Sequence, residues 1–430
     1  MAVFKSVRSI NVVTLGCSKN LVDSEFLLGQ LSNAGYNVFY DSESPCDLVL
    51  INTCGFINDA KKESLETIFR WVNARRNGLV RYIVVVGCLA QRYKEEILAD
   101  IPEIDLVLGV DSADELLQIL TPHHSADPDR LLITPPHYAY LKIAEGCDRT
   151  CSFCAIPHIR GSHRSLPPDQ LIKHANDLAQ RGVKELIIIS QDTTYYGLDT
   201  HKRQMLAELL RGLVKIKEIE WIRLQYAYPA SFPVEVLDLI RGEEKICRYL
   251  DIPFQHITDR MLKAMRRNIS RKQTEELIDR IKTTVPGICL RTSLLCGFPG
   301  ETDDDFNELL SFVKSGVIDR LGVFTYSHEE GTISFKDFKD NVPAKIKTLR
   351  AQKLMEAQQI NSFKKNKALI GKKIRILTDA SYTGGCIGRT EFDAPEADND
   401  VEYRTNKKIK PGTFHTVKIT DAAAYRLIAG

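Results

Sequence analysis

The chain has 430 residues, with 58 Lys and Arg against 56 Asp and Glu, a net charge of +2. That length exceeds what one hydrophobic core usually organises and predicts two or three domains. The near-neutral balance gives no whole-chain case for nucleic acid or a membrane surface. No apolar run approaches a membrane span, and the first ten residues lack the apolar core of a secretory leader, so the protein is expected in the cytoplasm with its 11 cysteines reduced.

Strand-like and helix-like stretches alternate from the start: strands at 11–15, 47–52, 81–87 and 105–108, helices at 21–34, 59–77 and 91–99. This rhythm predicts a parallel-sheet α/β domain over residues 1–125. Function in such sheets gathers at the carboxyl ends of strands. Three cysteines stand there: Cys17 after residues 12–16, Cys54 after 48–53 and Cys88 after 83–87. Singly, each reads as an inert buried thiol; together, their equivalent positions point to one shared centre.

Residues 121–136, with His123-His124 and Pro135-Pro136, break the rhythm and predict a linker, assigned to 126–136. A second series follows, with strands at 138–144, 185–190, 221–226, 249–253, 288–295 and 320–325 and helices between them. Six βα units predict an open, partial barrel over 137–342 with its active face at the strand carboxyl ends. Pro343 then starts a long connecting helix, 343–369, closed by Gly371. Short strand-like runs at 374–377, 385–389, 401–403, 413–419 and 424–428 predict a small antiparallel β-barrel over 370–430.

The most specific motif follows the first strand of the second series: Cys147-Asp148-Arg149-Thr150-Cys151-Ser152-Phe153-Cys154. Three thiolates on a 4Fe-4S cluster leave one iron open to a ligand. In this spacing that ligand is S-adenosylmethionine, whose sulfonium accepts an electron and splits to a 5'-deoxyadenosyl radical. The alternative is zinc, with His158 or His163 as a fourth ligand.

Cofactor contacts are expected at Phe153, beside the cluster or adenine, or simply in the core. Gln191 and Asp192 end the second barrel strand, where they can bind the methionine amino group or ribose, or only form a turn. Gly297 and Gly300 frame a turn that lets backbone approach the adenosyl group, with Glu301 as polar lining. Arg160 and Arg164 can hold an acidic substrate or the cofactor carboxylate, or remain solvated. No side chain is assigned a catalytic role.

Over essentially its whole length the chain resembles the radical S-adenosylmethionine methylthiotransferases. The resemblance rests on Cys17, Cys54 and Cys88, on the Cys147/Cys151/Cys154 loop, and on a terminal barrel of the type called TRAM. It implies that the first three cysteines carry an auxiliary 4Fe-4S cluster and the second three the cluster that cleaves S-adenosylmethionine. One branch of the family modifies tRNA adenosines and another an aspartate of small-subunit ribosomal protein S-twelve. Gly16-Cys17-Ser18-Lys19-Asn20-Leu21-Val22-Asp23-Ser24-Glu25, Asn52-Thr53-Cys54-Gly55-Phe56-Ile57 and Gln191-Asp192-Thr193-Thr194-Tyr195-Tyr196-Gly197 resemble the ribosomal-protein branch. Leu166, where Arg is usual, and Cys296, where an aliphatic residue is usual, depart from the pattern without touching a cluster ligand.

The reaction so implied places a methylthio group on the β-carbon of the aspartate. That carbon has no acidic proton, so hydrogen abstraction by a radical is the credible route. One S-adenosylmethionine supplies the methyl group and another the radical, with an electron donor and a sulfur source as further partners. Residues 364–430 hold thirteen basic and eight acidic residues, but the excess lies mostly in Lys364, Lys365 and Lys367, and the acidic stretch 391–402 is expected to repel phosphate. The barrel is therefore read as docking a basic ribosomal protein. The alternatives are a tRNA adenosine methylthiotransferase and a non-catalytic, metal- or cluster-bearing RNA-binding protein.

Overall fold

In the computed structural model the described residues are 4, 6–120 and 130–430. They form two compact units, Met1–Thr134 with Ala155–Ser162, and Pro135–Cys154 with His163–Gly430. Of the expected linker, residues 121–129 lie outside the described residues.

The first unit runs β1 Ser9–Thr14, α1 Ser18–Asn33, β2 Asn37–Tyr40, β3 Cys46–Thr53, α2 Asn58–Arg76, β4 Val80–Gly87, α3 Cys88–Asp100, β5 Leu106–Val107 and α4 Ala113–Leu120. Its five strands are parallel, in the order β2-β1-β3-β4-β5. Alternation along the strands supplies both faces. Leu48 and Leu50 of β3 pack with Leu27, Leu28 and Leu31 of α1, while Val49 and Ile51 pack with Ile68, Trp71 and Val72 of α2. The strand order reverses between β1 and β3; Cys17 and Cys54 stand in the loops after β1 and β3, and Cys88, directly after β4, is the first residue of α3. A ligand crevice belongs at such a switch point. Glu25 of α1, fully buried, pairs with Arg130 and accepts the Ile133 backbone N–H at 2.9 Å, which ties residues 130–133 to α1.

The second unit begins with β6 Tyr138–Lys142 and β7 Ala144–Glu145; α5 Ile156–Arg160 belongs to the first unit, and β8 Arg164–Ser165 pairs with β7. Then come α6 Pro168–Gln180, β9 Glu185–Ile189, α7 Leu198–His201, α8 Leu206–Leu213, β10 Trp221–Leu224, α9 Glu235–Gly242 and β11 Ile246–Asp251. They are followed by α10 Asp259–Ala264, α11 Arg271–Thr284, β12 Cys289–Cys296, α12 Asp303–Lys314, β13 Arg320–Thr325 and α13 Ile333–Asp337. Strands β6, β9, β10, β11, β12 and β13 lie side by side in chain order, all parallel and open at both edges, the partial barrel expected from the sequence. The long helix α14 Ala344–Lys367 leads to β14 Lys373–Tyr382, β15 Gly385–Thr390, β16 Asp400–Arg404, β17 Phe414–Ala422 and β18 Arg426–Ala429, which close into a barrel. Four of its seams are antiparallel and one, β16 with β18, is parallel. Parity requires this, since five strands cannot alternate direction all the way round a closed ring.

The segment between β15 and β16 plugs the amino-terminal mouth of the partial barrel. Arg320, the first residue of β13, donates to Asp393 at 2.7 and 2.9 Å, and Tyr249 and Arg291 donate to Asp398 at 2.8 and 3.3 Å. Beside them, the fully buried Glu185 pairs with Arg223 at 2.7 Å and Arg389 at 2.8 Å. Burial alone would raise the Glu185 carboxyl, yet the two guanidinium groups hold it below the ordinary range. The acidic stretch 391–402 was expected to face and repel phosphate. Asp393 and Asp398 are instead internal counter-ions, because the arginines at the barrel mouth need them once desolvated.

Glu185→Gln leaves two arginines buried against a neutral amide. We expect a loss of about 3–5 kcal/mol of stability, measured by urea unfolding, and a far smaller change on breaking an exposed pair such as Arg203–Glu208.

Candidate functional site

The first cysteine set stands on a floor of buried polar side chains. Asn20, at the start of α1, donates to the Leu15 and Thr53 carbonyls at 2.9 and 3.0 Å, tying the Cys17 loop to the Cys54 loop. Asn52 returns the bond, donating to the Asn20 carbonyl at 3.0 Å and to Ser24 at 2.9 Å. Thr53 donates to the Val86 carbonyl of β4 and accepts the Ala90 N–H of α3, on either side of Cys88. Ser64 holds the Cys54 backbone by both its N–H, at 3.0 Å, and its carbonyl, at 2.8 Å. Gly16 is needed for the approach: a Cβ there would lie 2.8 Å from the Cys54 sulfur, and its φ of +88° suits only glycine.

The thiols are free, Cys54 and Cys88 buried and Cys17 exposed. Burial pushes the Cys88 thiol up to about 12 and raises that of Cys54, and each is raised further by the neighbouring sulfurs. Such a site disfavours bare thiolates and gains most from a bound cation that discharges them. It fits an iron–sulfur cluster by donor chemistry: three soft sulfur ligands, with Asn20 and Arg160 beside Cys88.

The second set follows β7. Glu145 accepts from Gly146 N–H at 3.1 Å, from Lys142 at 2.7 Å and from Gln191 at 2.6 Å, and so pins the loop entrance. Arg149, inside the loop, donates to Asp192 at 2.7 Å and lies over the Tyr228 ring at 4.1 Å. Arg267, fully desolvated, donates to the Cys151 sulfur at 3.2 Å. Burial pushes Cys147 up to about 12. Neither arginine was singled out from the sequence: Arg149 had only its place in the loop as a signal, and Arg267 had none.

The expected cofactor contacts divide. Gln191 keeps a buried side-chain oxygen without a partner, an acceptor suited to an ammonium group. Asp192 uses both oxygens internally, one for Arg149 and one for Thr194 N–H at 2.9 Å and its hydroxyl at 2.6 Å. Phe153 packs with Met261, Met265 and Phe298. Gly297 and Gly300 both have positive φ, +76° and +78°, and a Cβ on Gly297 would strike Lys347 at 2.3 Å. Glu301 turns inward to accept Gly297 N–H at 2.6 Å and Arg350 at 2.8 Å. Arg160 is not solvated: it is buried among Asn20 and Asp23. Arg164 lies exposed on β8.

Of the two histidines weighed for zinc, His163 is buried with its Nε2 3.1 Å from Ser165, and His158 is exposed. Among the described residues no three His, Cys, Asp or Glu side chains converge as they would on one ion. A cluster spreads its cysteines over separate irons and tolerates wider spacing. Cys296 is fully buried in the core, as are Cys247, Cys289 and Cys386.

An open six-stranded parallel barrel with this cysteine loop at its carboxyl face defines a radical S-adenosylmethionine enzyme. Residues 141–313 match the radical SAM superfamily, 9–109 the uncharacterised protein family UPF0004, and 370–430 the TRAM domain. The chain is 48% identical over 422 residues to the ribosomal protein uS12 methylthiotransferase RimO of Cytophaga hutchinsonii, covering 97% of this chain and 96% of that one. It is 46% identical over 425 residues to that of Porphyromonas gingivalis, covering 98% of each. It belongs to the ribosomal protein uS12 methylthiotransferase family. In fold it is similar to the cobalamin-dependent S-adenosylmethionine radical enzyme OxsB, with a TM-score of 0.52 and 14% identity, matching 83% of this chain and spanning 56% of that one. The radical S-adenosylmethionine methyltransferase TsrM of Kitasatospora setae is similar to the same degree, with a TM-score of 0.52 and 15% identity over 74% of this chain. Among the described residues no helix is long and apolar enough to cross a membrane.

Two outcomes follow. Asp192→Asn removes the charged anchor of Arg149, worth about 1.5–3 kcal/mol; iron held by the second cysteine set should be lost to a chelator about ten- to a hundredfold faster, measured in a Cys17/Cys54/Cys88→Ala background. Burial also holds His256 down to about 4. The unfolded chain takes up that proton first, so stability is complete above pH 6.5 and falls by up to about 3 kcal/mol toward pH 4. Glu301, raised by burial, opposes part of this. His256→Gln should flatten the slope in urea titrations across that window.

Proposed function

We propose that this chain methylthiolates the β-carbon of an aspartate of ribosomal protein uS12, using two 4Fe-4S clusters and two equivalents of S-adenosylmethionine. The observation that carries the reading is the pair of three-cysteine sets, each on loops locked by buried polar side chains, in a chain nearly collinear with the uS12 methylthiotransferases. Cys147, Cys151 and Cys154 hold one cluster; Cys17, Cys54 and Cys88 hold the other, where sulfur is loaded. With S-adenosylmethionine bound, the first of these supplies a 5'-deoxyadenosyl radical.

The chain's own residues do the rest. Gln191 offers its free oxygen to the cofactor ammonium, and the Gly297–Gly300 turn brings backbone to the adenosyl group. Arg149 and Arg267 stack on Tyr228 at 4.1 and 4.3 Å, and this layer shields the cysteine loop from water. An electron donor and a sulfur source complete the reaction. The terminal barrel is held rigidly on the partial barrel by its buried acids, so it presents a fixed surface to the uS12 protein.

Anaerobically reconstituted, reduced enzyme with S-adenosylmethionine, sulfide and a uS12 loop peptide should yield methylthio-aspartate and deoxyadenosine by mass spectrometry. Replacing either cysteine set by alanine should halve the iron, from about eight to about four atoms per chain. Only loss of the second set should abolish deoxyadenosine. Product on a matching tRNA but not on the peptide would sink the substrate reading.

A further inference from the structure

Arg160 is a cation that the fold buries beside Cys88 of the first cysteine set. Its side chain is 2% exposed and donates to Asp23 at 3.1 Å through both terminal nitrogens and to the Asn20 side-chain oxygen. That same oxygen lies 3.6 Å from the Cys88 sulfur. Asn20 itself is fixed by the Leu15 and Thr53 carbonyls, so it holds the guanidinium and the thiol in one frame. Asp23, 31% exposed, stands on the solvent side and offsets the charge only in part.

A cluster with three cysteine thiolates and an open iron gains negative charge whenever it binds hydrosulfide or a methanethiolate. In a desolvated site, a fixed cation a few ångströms away stabilises that added charge far more than water could. We propose that Arg160 is the positioning residue that lets the first cysteine set hold anionic sulfur, with Asn20 setting its place and Asp23 tempering its charge. This rests on the two-cluster reading above. Binding here is coordination of a preformed anion to the open iron, with no electron transferred and no bond in the protein broken.

The test uses full-length protein in a Cys147/Cys151/Cys154→Ala background, so that only the first set is loaded, and titrates hydrosulfide while following the cluster by electron paramagnetic resonance after partial reduction. Arg160→Met should keep its iron, bind hydrosulfide at least about tenfold more weakly, and be harder to reduce, a tenfold change being about 59 mV for a one-electron couple. Arg160→Lys should recover most of both effects, and Asp23→Asn should shift both the opposite way, which a merely structural contact would not do. Unchanged hydrosulfide affinity in a fully loaded Arg160→Met protein overturns the proposal. Loss of iron from Arg160→Met but not from Arg160→Lys also overturns it, since Arg160 would then hold the cluster rather than the sulfur. A Cys147/Cys151/Cys154→Ala protein that takes up no iron sinks the two-cluster reading, and this inference with it.

Discussion

Buried thiols resist ionising, and a neighbouring sulfur makes them resist it more. That penalty is the constraint on which the architecture turns. Burial pushes Cys88 and Cys147 each to about 12, one in each unit, so neither site is stable as a bare trianion. The loops must therefore be held in place by something other than the sulfurs. In the first unit that is the Asn20, Asn52, Thr53 and Ser64 network, whose donors reach backbone carbonyls around all three cysteines. In the second it is charge: Glu145 at the loop entrance, Asp192 on Arg149, and Arg267 on the Cys151 sulfur. The neutral network adds no charge of its own beside its cysteines, so the charge of the buried Arg160 beside Cys88 is not cancelled by it.

The sequence patterns made the gross fold legible for a physical reason. Strands buried on both faces must be apolar throughout, so 48–52 and 83–87 read as strands, and the cysteines at their ends followed directly. Elements that were not anticipated lack that signature, as two of them show. Strand β2 is an edge strand with half its residues exposed, and α4 is a single short amphipathic stretch. A parallel seam in the terminal barrel was equally hidden, since no residue type announces it; only the strand count does.

Side-chain roles were less legible than positions. Asp192 ends its strand where a ligand contact is expected, but its partner Arg149 lies 43 positions earlier in the chain. Arg160 has the composition of a solvated loop and the burial of a core residue, because Asn20 and Asp23, 140 and 137 positions away, satisfy it. Pairings of such sequence separation leave no local periodicity, whereas the cysteines announce themselves through spacing alone.

The same lesson decides how the terminal barrel's charge is to be counted. Its acidic residues appear in the sequence as a surface that would turn phosphate away. In the folded chain Asp393 and Asp398 are consumed inside, opposite Arg320 and Arg291, while Arg404, Lys407, Lys408 and Lys410 remain exposed. A charge contributes to long-range attraction only where it meets solvent, and one sealed in an ion pair cancels locally. The barrel's outward balance is thus more basic than its composition, and its internal acids serve attachment: they exchange a flexible tether for a fixed orientation, which is what a domain must have if it is to help aim one side chain of a partner protein at a radical.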